Sequence, residues 1–404
     1  MKIIEGGVCA AKGYRAGGVH CGIRKNPGKK DLALIVSDCI ANAAAVYTTN
    51  LVKGAPIIVD KQHLADGRAQ AVICNSGNAN TCNANGVEIA EGMALLVEKQ
   101  LGIAANDVVV ASTGVIGEPL SLAPIEKGMP GLAASLTYDG SLDACHAIMT
   151  TDTVPKEIAV EFELGGKTCR MGGIAKGSGM IHPNMATMLV FITTDAAVSA
   201  EMLQKALSED IKSTFNMTSV DGDTSTNDTV LLMANGLAGN PEITEDGEDF
   251  AVFMKALNTV NMHLCRGIAA DGEGATKLLE CVVSGAKTLD IARKAAKSVI
   301  CSSLVKTAMF GEDANWGRVL CAIGYSGADV DVSKIDLSFA SKAGTIELCR
   351  NGAGVPFSEE KAAEILHEKE IDILIDLKDG AFGATAWGCD LTYEYVKING
   401  DYRT

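Results

Sequence analysis

The chain has 404 residues, 47% of them hydrophobic, which is enough for two core-forming units. Its formal net charge is −15 with Lys and Arg scattered, so no basic stripe is available for nucleic acid or an anionic membrane surface. No apolar run reaches the roughly 18–20 residues that span a bilayer.

The apolar stretch within Met1–Gly7 is too short for a signal peptide. The thirteen cysteines show no Cys-x-x-Cys spacing, so reduced thiols in a cytoplasmic protein are expected. Cys9, Cys74, Cys82, Cys301 and Cys321 lie among small or apolar residues and predict core filler. The basic run Arg24–Lys30 predicts a solvated loop. Leu32–Ser37, Pro56–Val59 and Ala69–Cys74 predict strands. Gly86–Leu101 has helical spacing, with Val87, Ile89, Ala90, Met93, Leu96 and Val97 on one face. Asp107–Ala111 predicts a buried strand ending at Ser112-Thr113-Gly114, and Glu157–Leu164 a half-exposed one. A glycine-rich loop at Lys176–Gly179 leads to Ala186-Thr187, which opens the apolar run Met188–Ile192. Beyond it the pattern predicts helix Ala200–Phe215, strand Thr229–Ala234, an exposed loop at Asn240–Glu248 and helix Asp249–Leu264. Helix Lys287–Val299, strands Ile335–Phe339 and Gly344–Cys349, helix Ser358–His367, and strands Ile371–Leu377 and Ala384–Lys397 follow. The fold class expected is α+β, with layered mixed or antiparallel β-sheets between helices and no internal repeat.

A hydroxyl residue at the start of a buried strand, after a glycine-rich loop, is where self-cleaving enzymes keep a nucleophile. Cleavage between Ala186 and Thr187 would free the Thr187 α-amine, whose unperturbed pKa of ~8 suits it as the local base for the adjacent hydroxyl. A threonine that merely opens a β-strand gives the same local pattern.

Several further motifs occur in order: Gly77-Asn78-Ala79-Asn80, Ser112–Gly117, Met149–Thr153, Lys176–Gly179, Met185–Leu189 and Asp221–Asp228. Together they closely resemble the ornithine acetyltransferase family, also called glutamate N-acetyltransferases, of arginine biosynthesis. The resemblance runs over essentially the whole chain. It implies an N-terminal-nucleophile-like fold that processes itself into 1–186 and 187–404, the two fragments forming a heterotetramer of two of each. It implies Thr187 as nucleophile, with the Thr113 hydroxyl and Gly114 N–H as oxyanion hole. Substrate-binding roles carry over onto Thr150, Lys176, Thr187, Glu273, Asn399 and Thr404, with Thr151 an alternative to Thr150. Lys176 suits an α-carboxylate, Glu273 suits the ornithine ammonium, and the Thr404 carboxylate could cap the site. The reaction implied moves acetyl from N2-acetylornithine to glutamate without metal or redox cofactor; acetyl-CoA is left open as a co-substrate.

Other patterns fail on their spacing. Asp221–Leu232 lacks the glycine and final glutamate of a calcium loop. Gly172–Ser178 lacks P-loop spacing, and the six histidines lack metal-ligand spacing. His182 either assists cleavage or stabilises a turn. An N-terminal-threonine amidase or aminopeptidase with water as acceptor is the competing enzyme class, and a small-molecule binding protein on the same fold is the non-enzymatic one.

Overall fold

The structure, a computed structural model, describes residues 1–182 and 188–401. They divide into two compact units, one around a nine-stranded sheet and one around a seven-stranded sheet. In chain order the elements of the first unit begin with β1 (Lys2–Ile4), β2 (Tyr14–Val19), β3 (Leu32–Tyr47), α1 (Ala55–His63), β4 (Arg68–Asn78) and α2 (Gly86–Leu101). They continue with β5 (Val108–Val115), α3 (Leu122–Ala134), α4 (Ser141–Ile148), β6 (Lys156–Leu164), β7 (Lys167–Lys176), β8 (Leu189–Thr194) and α5 (Ala200–Asp210). After β9 (Thr218–Ser219), which belongs to the second unit, come β10 (Thr229–Ala234) and α6 (Glu248–Ala270), of which the first unit holds the residues up to Leu264.

The sheet order is β1-β6-β7-β8-β10-β3-β4-β5, with β2 also on β3. The sixteen-residue β3 makes this arrangement possible. Along one edge its first half pairs with β2 and its second half with β10; along the other it pairs with β4, with an irregularity between Val36 and Ala41. Side chains alternate accordingly. Ala33, Ile35, Val72, Cys74, Val109 and Ala111 join one core with Phe191, Leu231 and Met233. Leu32, Leu34, Ala71, Ile73, Val108 and Val110 join a second core with residues of α2 and α3. Strands buried on both faces read as continuous apolar runs, which is why Val108–Ala111 stands out in the sequence.

The second unit contains β11 (Leu278–Ala286), α7 (Leu289–Cys301), α8 (Ser303–Phe310), α9 (Trp316–Gly324), β12 (Asp336–Ser341) and β13 (Gly344–Arg350). It ends with β14 (Ala353–Gly354), α10 (Glu359–Leu366), β15 (Glu370–Asp376), β16 (Phe382–Cys389) and α11 (Tyr393–Asp401). The order is β14-β13-β12-β15-β11-β16-β9, with β11–β15 and β16–β9 parallel. Helix α7 is capped by the Thr288 hydroxyl and buries Ala292, Ala295, Ala296 and Val299, an i, i+3, i+4, i+7 stripe.

The mixed sheets and helical cover expected from the sequence are present. Three local expectations are corrected. Pro56–Val59 lies in α1, not a strand: Pro56 occupies the first turn, where a missing N–H costs nothing, and a four-residue apolar run cannot tell buried helix from strand. Residues 167–176, for which the residue pattern predicts no element, form β7. A Cβ on Gly172 would lie 1.8 Å from the Gly7 carbonyl oxygen, so these glycines permit close backbone contact within a strand. The expected strand Ala384–Lys397 stops at Cys389, and α11 follows with no buried face to betray it. Finally, Cys82 and Cys321 are exposed rather than core, while Cys9 and Cys74 are buried. Among the described residues no helix is long and apolar enough to cross a membrane.

Candidate active site

Three strand ends meet at one edge of the first unit's sheet. Lys176, the last residue of β7, pairs with Leu189 at the start of β8, and Leu189 pairs in parallel with Thr229 at the start of β10. The Thr229 N–H donates to the Met188 carbonyl at 2.9 Å. Ala186, Thr187 and Thr404 lie outside the described residues.

Thr113 and Gly114 lie inside β5, not in a turn after it, and pair with Ser76 and Gly77 of β4. Gly114 has φ +130°, and a Cβ there would fall 2.4 Å from the Gly77 carbonyl carbon, so no other residue fits without displacing backbone. Asn227, two residues before β10, ties this strand end to the β10 start. Its Nδ2 donates to the carbonyls of Ser112 (2.9 Å) and Ala79 (2.6 Å), and its Oδ1 accepts from Thr81 (2.6 Å) and Thr226 (2.5 Å). All four bonding positions of the amide are used. Next to it, burial drives the Asp228 carboxyl well above the usual range, with Ser225, Thr48 and the Lys176 charge opposing only in part.

Lys176 is buried at 7% exposure. Beside it, Asp152 accepts from Lys156 Nζ (2.7 Å) and the Gly177 N–H (2.7 Å) on one oxygen, and from the Thr150 N–H (2.9 Å) on the other. Burial would raise this carboxyl, but the charges of Lys156 and Lys176 and these bonds reverse that and hold it well below the usual range. One carboxylate thereby joins the Thr150 turn to the end of β7. Thr150 and Thr151 both line a cavity of about 580 Å³.

In the second unit the Glu273 carboxylate accepts from Asn399 Nδ2 at 2.7 Å, and its own N–H donates to the Ser178 carbonyl at 3.0 Å. A Cβ on Gly179 would lie 2.3 Å from the Glu273 carboxyl carbon, so the glycine leaves room for that carboxylate. Asp221 accepts from the N–H groups of Met180 and Ile181 and thus serves as a clamp on the 178–182 segment. His182 Nδ1 lies 3.1 Å from Ser219 Oγ and 3.5 Å from Cys301 Sγ. Burial first, then the Lys297 ammonium, lowers it to about 4, so the imidazole is neutral at pH 7.

The expected residues therefore fall into two groups by unit: Thr113, Gly114, Thr150 and Lys176 in the first, Glu273 and Asn399 in the second. Asp152, Lys156 and Asn227 escape the residue-by-residue expectation although two of them lie in the quoted motifs. The available signal was an opposite-charge i, i+4 pair at Asp152 and Lys156 outside any helical pattern.

Thr113, Gly114 and the buried Lys176 thus sit on strands of one sheet in a protein of the α+β class. The ArgJ family model matches residues 15–404. The arginine biosynthesis bifunctional protein ArgJ of Caldanaerobacter subterraneus subsp. tengcongensis is 54% identical over the full length of both chains. ArgJ 1 of Clostridium acetobutylicum is 51% identical, over 97% of this chain and 96% of its own. The crystal structure of ArgJ from Bacillus halodurans is 46% identical, with a TM-score of 0.50, and covers 52% of this chain and 97% of that one. The chain belongs to the ArgJ family.

Proposed function

We propose that the protein cleaves itself between Ala186 and Thr187 and then carries acetyl from N2-acetylornithine to glutamate on Thr187. The observation that carries this proposal is the Asn227 bridge, which holds the Thr113-Gly114 strand end against the start of β10, the neighbour of the strand that follows Thr187. In the first half-reaction the Thr187 α-amine takes the hydroxyl proton as Oγ attacks the acetyl carbonyl. The Thr113 hydroxyl and Gly114 N–H meet the developing oxyanion, each such donor contributing about 3–4 kcal/mol. The amide C–N bond breaks, and the departing amine of ornithine takes the proton. In the second half-reaction the glutamate amine attacks the acetyl-threonine and restores the hydroxyl. Lys176 binds the α-carboxylate common to both substrates, Glu273 with Asn399 binds the ornithine ammonium, and Thr150 and the Thr404 carboxylate complete the contacts. Acetyl-CoA serves as a second acetyl donor to glutamate, in keeping with the bifunctional relatives. No further cofactor enters this scheme.

The fragments 1–186 and 187–404 remain associated, because β8 and β10 lie between β7 and β3 in one sheet, and we assign the assembly as two of each. Intact-mass measurement with N-terminal sequencing tests the scheme. It expects both fragments, none in Thr187→Ala and partial processing in Thr187→Ser. Full-length chain in active enzyme, or wild-type turnover by Thr187→Ala, would overturn it.

A further inference from the structure

The segment Arg24–Lys30 carries four cations within seven residues of a strongly acidic chain. It is not merely a solvated loop. Asp31, fully buried, accepts the N–H groups of Cys21 (2.6 Å), Gly22 (3.2 Å) and Arg24 (2.9 Å), so the one acid of the loop is spent folding it. Asn26 Oδ1 accepts the Gly28 N–H at 2.9 Å and closes the turn before Lys29. The loop presents Arg24, Lys29 and Lys30, with His146 and the turn from Thr150 to Thr153, to the cavity of about 580 Å³. That volume lies within the range of small-ligand pockets.

The acids near this cavity are otherwise engaged. Asp143 pairs with Lys30, and Asp152 is held by Lys156, Gly177 and Thr150. Lys29 makes no ion pair among the described residues. The cavity also adjoins the acyl-binding strands. The Arg24 side chain packs on Gly77, where a Cβ would lie 2.8 Å from Arg24 Cγ, and Gly77 is the pairing partner of Gly114. Arg24 Nη2 donates to the Met149 carbonyl at 2.6 Å, immediately before Thr150.

We propose that this cavity binds the phosphate groups of a phosphorylated acyl-thioester donor, and so admits acetyl-CoA to the reaction. Arg24 and Lys29, with Lys30 paired to Asp143 beside them, line this cavity, and guanidinium and ammonium groups are the donor set that phosphate oxygens require, whereas N2-acetylornithine has no phosphate to use them. The proposal rests on the acetyl-CoA activity given above. In that step the Thr187 hydroxyl proton passes to the α-amine, the Oγ–acetyl bond forms, the C–S bond breaks, and the leaving thiolate takes the proton.

The test uses the processed enzyme and its Lys29→Gln/Lys30→Gln variant, with Arg24 kept because it supports Gly77 and Met149. Glutamate acetylation is followed with acetyl-CoA and with S-acetylpantetheine, which has no nucleotide phosphates, and N2-acetylornithine transfer is measured in parallel. Binding of adenosine 3′,5′-bisphosphate and of inorganic phosphate is measured by calorimetry at low and high salt. The variant should raise the acetyl-CoA KM roughly 10- to 100-fold, leave the KM of the other two donors at wild-type values, and lose salt-sensitive bisphosphate binding. An unchanged acetyl-CoA KM, an equal rise with S-acetylpantetheine, or inorganic phosphate binding as tightly as the bisphosphate would each overturn the proposal. If the wild type fails to turn over acetyl-CoA, the second activity is wrong; bisphosphate binding that depends on Lys29 and Lys30 still upholds the anion site, and no such binding overturns it.

Discussion

Replacing Asp152 by Asn removes one charge from a pair whose side chains are 2% and 0% exposed. The Lys156 ammonium then stays buried beside a neutral amide, with the Val154 carbonyl still accepting from it. Breaking a buried pair on one side costs about 3–5 kcal/mol, out of a total stability of about 5–15 kcal/mol. For a unit of this size that is about 6–20 °C in Tm. The double variant Asp152→Asn/Lys156→Gln should recover part of the loss, because the Lys156 charge is gone while that of buried Lys176 remains. Function should not recover with it: the amide offers one accepting oxygen where the carboxylate offered two, so the Thr150 and Gly177 N–H groups are no longer held on separate oxygens of one side chain, and KM for both substrates should stay raised in the double variant. Differential scanning calorimetry and half-reaction kinetics measure the two effects. A loss below about 1 kcal/mol in the single variant, or a double variant less stable than the single, would refute the reasoning.

Gly114→Ala should lower kcat by about 10²–10³, since its Cβ forces the strand off Gly77 and moves the N–H; wild-type kcat would exclude this donor. Lys176→Ala should impair both half-reactions, whereas Glu273→Ala should impair N2-acetylornithine more than glutamate, each by roughly 10- to 150-fold in kcat/KM. Equal losses for both substrates in Glu273→Ala would assign that residue to folding or processing. His182 stays neutral down to about 4, while an unfolded histidine protonates near ~6.5. Between these values the unfolded state binds more protons, so this residue makes stability fall as pH drops through that window. Thermal melts of His182→Gln should show a shallower decline there than wild type, and parallel curves would refute it.

Elements with strong periodicity were legible from residue order alone. Helix Gly86–Leu101 and strand Thr229–Ala234 have the bounds that their apolar spacing predicts, because burial on one helical stripe or on both strand faces leaves a direct trace in composition. Strand β7 and helix α11 left no such trace, the first because glycines serve close packing, the second because it buries no face. The same division holds for the site. Thr113, Gly114 and Lys176 lie in the ordered motifs that carry the family resemblance, and the resemblance adds Glu273. Their environments depend on partners distant in the chain: Asn227 reaches Ser112 across 115 positions, and Asp152 reaches Gly177 across 25. Residue order names the groups able to carry charge or donate a bond. Whether a carboxylate is ionised, a lysine buried or a loop's cations left facing a cavity depends on desolvation and on neighbours brought by the fold, and those arise only once the strands are paired.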